Sequence, residues 1–300
     1  MAITTTEVDP GIPEFWLAQA IGFLRAQAMM ARLVRRDVSD QVQTVGDTVN
    51  IIKRGSLTVR DKAEGSAITS DSPADSKVAV LLDRHKYVSW FVEDRAASVA
   101  VDAAIDYIED GMGGIAEAIE ADLLGLYADI ANDVGTGGTN LTLATLLAAR
   151  QQLNVQRAPM QGRALIISPK DEVALLNSEL LVAADKRGDD GKALREAMMG
   201  RIYGFDAYMS QLVPSTGSGP ATTHNVAFHR NAFALVSRPL GMPEQGTGVR
   251  ATVMTDPVTG VAMRYTRQWD STQLATRHTI DVLYGVKSID EDRHAVEVLT

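Results

Sequence analysis

The chain contains no cysteine. That excludes disulfides, thiolate nucleophiles, zinc ribbons and iron–sulfur clusters, and it fits a protein made in a reducing cytoplasm. No apolar run approaches the roughly 20 residues that a membrane span needs, and the opening MAITTTEVDPG lacks the basic-then-apolar pattern of a secretory signal. No membrane partner is expected. Basic charge is scarce too: 29 Lys and Arg against 38 Asp and Glu leave a formal net charge of −9. Proteins that read nucleic acid specifically carry a basic footprint. This chain has none, so contact with DNA is expected to be weak and non-specific.

Catalytic signals are also missing. The histidines (His85, His224, His229, His278 and His294) form no H-E-x-x-H pair, and no G-x-S-x-G elbow occurs. The glycine-rich DVGTGGTN at 133–140 lacks the Lys-Ser/Thr ending of a phosphate loop. The expected lists of catalytic residues, metal ligands and cofactors are therefore empty, which counts against an enzyme.

What is present is order. Of the 300 residues, 45% are hydrophobic, enough for one large domain or two smaller ones. Pro13 and Glu14 suit a helix start, and Leu17, Ile21, Leu24 and Ala28 share a stripe, so a helix is expected from Pro13 to about Arg36. In GDTVNIIKRGSLTVRD, Val49, Ile51, Leu57 and Val59 alternate with polar neighbours, the period of a strand. The stretch 62–77 offers almost nothing to bury, and the apolar run Val78–Val92 follows. A long two-stranded ribbon with a polar tip results. Such a ribbon is marginal alone in water and needs something to pack on.

A second helix is expected from about Ala96 to Asn132. Ile105, Ile108, Met112, Ile115, Ile119, Leu123, Leu126 and Ile130 step by three and four residues, with Gly111, Gly113 and Gly114 predicting a bend. Its opposite face carries Asp102, Asp106, Glu109, Asp110, Glu117 and Glu120. From Glu93 to Asp133 there are eleven acidic residues and one arginine, Arg95, a local net of −10. After the loop at 133–140 the pattern turns α/β, with a helix near Thr142–Leu153, a strand over Arg163–Ser168 and a helix capped by Ser168, Pro169 and Asp171. A short helix ALREAMMG and a strand over Phe205–Val213 come next. VAFHRNAFALVS reads as a strand pair or one bent strand, and residues 248–270 as a hairpin around Asp256–Gly260.

Taken in order, these elements resemble the major capsid (coat) proteins of tailed bacteriophages, most closely those needing a separate scaffolding protein. The closing YGVKSIDEDRHAVEVL resembles the family's usual ending. The resemblance implies an α+β fold in five segments: an N-terminal arm (1–44), an extended β-ribbon loop (45–92), the spine helix of a peripheral domain (93–135), an α/β axial domain (136–245), and the peripheral sheet with C-terminal strands (246–300). It implies a structural subunit that self-assembles as pentamers and hexamers into an icosahedral shell around double-stranded DNA. Scaffolding protein and portal are implied partners, a decoration protein is a further one, and the shell would be built in the host cytoplasm. The short stretch before the arm argues against a built-in scaffold. Some relatives link a lysine of the extended loop to an asparagine of the peripheral domain. Lys53, Lys62 and Lys77 are available here, but no asparagine follows Asn231, so shell stability is expected to be non-covalent. Encapsulin-like compartment shells share the resemblance, and an oligomeric α/β enzyme is the rival from another class.

The acidic helix face invites a specific expectation. Crowded like charge is costly unless neutralised. Either water and counterions do this, or basic groups of the arm and ribbon (Arg35, Arg36, Lys53, Arg54 and Arg60) lie against a neighbour's Asp102, Asp106, Glu109, Glu117 and Glu120.

Overall fold

The computed structural model describes residues 24, 28–36, 48–55, 57–94, 103–178, 200–217, 221–244 and 248–300, without the side chains at 103–106 and 109. A short helix α1 (Met30–Leu33) precedes strands β1 (Thr48–Lys53), β2 (Ser76–Leu81) and β3 (Arg84–Glu93) and the long helix α2 (Ala103–Leu124). Then come β4 (Asp133–Gly135), helix α3 (Leu143–Val155), β5 (Arg163–Ile167), helix α4 (Pro169–Leu176), β6 (Arg201–Ile202), β7 (Phe205–Met209) and β8 (Ser215–Thr216). Strands β9 (Thr222–His229), β10 (Phe233–Arg238), β11 (Val249–Thr255), β12 (Ala262–Asp270) and β13 (Ala275–Ser288), helix α5 (Glu291–His294) and β14 (Ala295–Leu299) complete the order.

Three sheets organise these strands. β13 is the hub of an antiparallel sheet in which β3, β10 and β12 all pair with it and β11 closes the β12 edge. A mixed sheet runs β4-β14-β9-β5-β7-β6, parallel at β4/β14 and β5/β7. β1 and β2 form the separate ribbon. The central strand β5 is buried throughout, as a strand covered on both faces must be. Ala164 and Ile166 join the main core with α2, β12 and β13, while Leu165 and Ile167 face α3 and α4.

VAFHRNAFALVS is two strands, and they belong to different sheets: β9 to the mixed one and β10 to the antiparallel one. Phe228 and Phe233 meet edge to face at 5.4 Å across the step. The hairpin at 249–270 forms around Asp256–Gly260 as its turn residues predict. So does the cap of α4: the Ser168 hydroxyl accepts from Asp171 N at 3.2 Å. Asp171 does not return a bond to the Ser168 amide, which donates instead to Asn225 Oδ1. Its buried carboxylate accepts from the Ser168 hydroxyl, Asn225 Nδ2, the Thr300 hydroxyl and Leu141 N, at 2.7, 2.7, 2.8 and 3.3 Å. One side chain thereby joins helix, sheet and last strand.

Other expectations need correcting. α2 ends at Leu124 rather than Asn132, tightening into a 3-10 turn, Gly125–Asp129. Asp129 there accepts from the Ser288 hydroxyl of β13 at 2.6 Å. Its expected start before Ala103 and the helix ALREAMMG lie outside the described residues. The helix runs unbroken through Gly111, Gly113 and Gly114. At Gly111 the missing side chain gives closeness rather than a bend, since a Cβ there would stand 3.0 Å from Val88 Cγ1 of β3. The run Val78–Val92 is two strands that part at Leu82 and Asp83, β2 to the ribbon and β3 to β13. Leu57 and Val59 are in no strand.

Candidate functional site

A subunit that assembles uses its outward surfaces, so the arm, the ribbon and α2 are the places to look. The ribbon needs something to pack on, and at its base that surface comes from its own chain. Val49, Ile51, Val80 and Leu82 pack with Ala234, Val236 and Ile289. This contact depends on Gly285, in the YGV of the closing motif. A Cβ there would be driven into the Leu81 carbonyl oxygen and lie 2.9 Å from its carbon. The ribbon crosses β13 in backbone contact, and only a glycine leaves room.

Beyond the base, polar links join the two legs. Asp75 accepts from Gly55 N at 3.0 Å, and Asp71 accepts from Thr58 N at 2.8 Å. Arg60 pairs with Asp71 at 2.5 Å and holds that carboxyl below its usual range, helped by the Thr58 amide. The apolar side chains of this region project into solvent: Leu57, Val59 and Ile68 are 70, 96 and 76% exposed. Here the covering surface is not supplied by the described chain.

Lys53 meets Asp290 at 2.5 Å, pinning the end of β1 to the turn before α5. Lys53 and Arg60 thus have partners inside the subunit. Arg54 is exposed. Arg35 is engaged through its backbone: its N–H donates to Phe233 O and its carbonyl accepts from Leu235 N, both at 3.1 Å, a parallel bridge to β10. That pairing explains why α1 stops at Leu33 instead of continuing to Arg36, for Val34 is already extended. Arg36 lies over the β11–β12 turn, 3.6 Å from where a Cβ on Gly260 would stand. The arm residues Leu24, Ala28, Met30, Ala31 and Val34 are buried in the chain's own main core. The arm helix before Leu24 lies outside the described residues.

The acidic face of α2 is less uniform than its sequence suggests. Asp110 and Glu117 are exposed. Asp102, and the side chains of Asp106 and Glu109, fall outside the described residues. Asp122 accepts from the Tyr284 hydroxyl at 2.6 Å, and Arg84 Nη1 sits 2.8 Å from it, near enough to pair charges but out of line for a hydrogen bond. Glu120 contradicts the expectation outright. It is 2% exposed and turned inward, accepting from Met30 N at 2.8 Å. It flanks the apolar stripe, and α1 closes over it. Sequence reasoning missed Gly285, Asp290 and this inward Glu120. Only the glycine left a signal, as a residue disfavoured inside a strand.

Among the described residues no group of His, Asp and Glu could hold a metal ion, and no helix is long and apolar enough to cross a membrane.

A long helix laid on an antiparallel sheet, a mixed α/β sheet beside it and an outflung ribbon make the fold of tailed-phage capsid subunits. A solved structure from Mycobacterium phage Che8 shares it, with a TM-score of 0.67, 21% identity and 91% of each chain covered. The capsid of Ralstonia phage GP4 aligns at TM-score 0.59 and 12% identity over 89% of this chain and 87% of that one. The capsid of the native GTA particle aligns at 0.59 and 11%, over 89% and 91%. No curated protein sequence matches. The model of the phage capsid protein family matches residues 26–238, and the chain belongs to that family. It is a major capsid protein, a structural subunit that assembles with copies of itself into the shell of the virion.

Proposed function

We propose that the chain forms pentamers and hexamers of an icosahedral shell enclosing double-stranded DNA, built in the host cytoplasm on a separate scaffolding protein around a portal. It has no catalytic role in this reading, and its contact with the packaged DNA is weak and non-specific. A decoration protein is a further partner. The five segments of the capsid resemblance, from arm (1–44) to C-terminal strands (246–300), serve as its working domains. The observation that carries the reading is the ribbon: its base is tightly anchored, while Leu57, Val59 and Ile68 beyond it are exposed. Apolar side chains on a polar, marginally stable ribbon are a liability in a monomer and a joint in a lattice. Arg54 of one subunit and Asp110 and Glu117 of the next are the charges best placed to steer that joint. Electron microscopy of the purified chain, alone and with its scaffolding protein, tests this. Closed shells are expected, and monomers or dimers as the only species would overturn the reading.

A further inference from the structure

Glu120 is an ionisable group at the contact between the arm and α2. Its helix neighbours Ala116, Ile119, Leu123 and Leu124 are all buried, so the carboxyl has apolar surroundings. One oxygen, Oε2, accepts the Met30 N–H at 2.8 Å. The other, Oε1, is buried with no hydrogen-bond partner among the described residues. Apolar packing and two backbone bonds at Arg35 also hold the arm. A carboxylate with a buried, unsatisfied oxygen costs more than a neutral carboxyl in the same place. Neutral, it still accepts from Met30 through its carbonyl oxygen.

We propose that Glu120 is a protonation-controlled latch for the arm: the neutral carboxyl holds Ala28–Arg36 docked against α2, and ionisation loosens them. The inference stands on contacts within one chain, so it holds or fails independently of whether shells form.

The charges around the group fit this role. Burial pushes Glu120 up to about 7, against an ordinary 4.5, while the Met30 amide, the Ser210 hydroxyl and the Arg32 guanidinium pull it down. Arg32 comes from the arm and Ser210 from the end of β7. Glu117, one turn earlier on α2, is exposed. The docked state therefore binds the proton more tightly than the undocked state does. Docking is fully favoured below the ordinary value and is lost as pH rises through about 7. That difference corresponds to a docking constant that changes on the order of 10²-fold across that window. At mildly alkaline pH the arm becomes available to other surfaces.

Hydrogen exchange read by mass spectrometry tests the latch on the full chain. Protection of the amides at 30–36 is compared with that of β9, after correction for intrinsic exchange. Between pH 5.5 and 8.5 wild-type arm protection is expected to fall by about 30-fold. E120Q, which mimics the neutral acid, stays protected throughout. S210A keeps the carboxyl but removes a hydroxyl that favours ionisation, so its midpoint moves to higher pH. It decides the question even where E120Q fails to fold. A flat wild-type profile, an E120Q profile that falls in parallel, or an unmoved S210A midpoint overturns the proposal.

Discussion

Replacing Gly285 by alanine adds a single methyl group where β13 and the ribbon touch. That methyl would collide with the Leu81 carbonyl oxygen, stand 2.9 Å from the Leu81 carbonyl carbon and 3.3 Å from Val80 Cγ1. The obstacle is main chain in a paired strand, so no side-chain rotation relieves it. β2 must retreat by more than about 1 Å to restore ordinary contact, because rigid interiors pass such strain on to their neighbours. The retreat separates Val49, Ile51 and Val80 from Ala234, Val236 and Ile289. Overpacking of this kind costs about 1–3 kcal/mol, and a backbone obstacle places G285A near the upper end. About 3 kcal/mol corresponds to a melting temperature lowered by roughly 6–12 °C in a protein of this size class. Calorimetry measures the loss, and hydrogen exchange locates it. Protection should fall at Thr48–Lys53 and Ser76–Leu81 while β5 and β9 keep theirs. A melting temperature within about 1 °C of wild type, with ribbon protection intact, would show that the close approach does not hold the ribbon.

Three further perturbations follow from other contacts. D171A strips a shared acceptor from Ser168, Asn225, Thr300 and Leu141; a loss of about 3–5 kcal/mol is expected in denaturant titration, with D171N losing less. Burial, with Arg267 nearby, holds His278 down at about 4, between a stacked Trp90 and the Tyr265 hydroxyl. The unfolded chain takes up this proton first, so stability should fall as pH drops from 6.5 towards 4, by up to about 3 kcal/mol from this group. In thermal melts H278Q should remove that share of the slope while leaving the share of His229, which burial also holds down at about 4. If ribbon charges steer assembly, R54E/R60E should block shells while leaving the subunit folded, and wild-type assembly should weaken as salt cuts the Debye length from ~10 Å at 0.1 M to ~3 Å at 1 M. Light scattering reports both, with R54E alone as the cleaner variant because Arg60 also pairs with Asp71. Normal assembly of the double variant at every salt concentration would leave the acidic face simply solvated.

Local pattern was enough wherever a residue's environment is set by its near neighbours. The apolar steps of α2 put Ile108, Met112, Ile115, Ile119 and Leu123 in the core as their spacing requires. Ser168 and Pro169 start α4, and the turn at Asp256–Gly260 sets the β11–β12 hairpin. The order of these elements was sufficient to suggest a capsid subunit, because that fold is a sequence of elements rather than a motif. Where two distant segments meet, the same reasoning had nothing to work on. Glu120 stands at the margin of the helical stripe, where burial is decided by whether something lies over it. What lies over it is Met30, 90 positions away. Lys53 looked like a free ribbon charge until Asp290, 237 positions on, came beside it. Gly285 is one glycine among many in the sequence, whereas the folded chain makes it the place where the ribbon rests. Periodicity records which face of an element turns inward, and only tertiary structure decides which other element arrives to cover it.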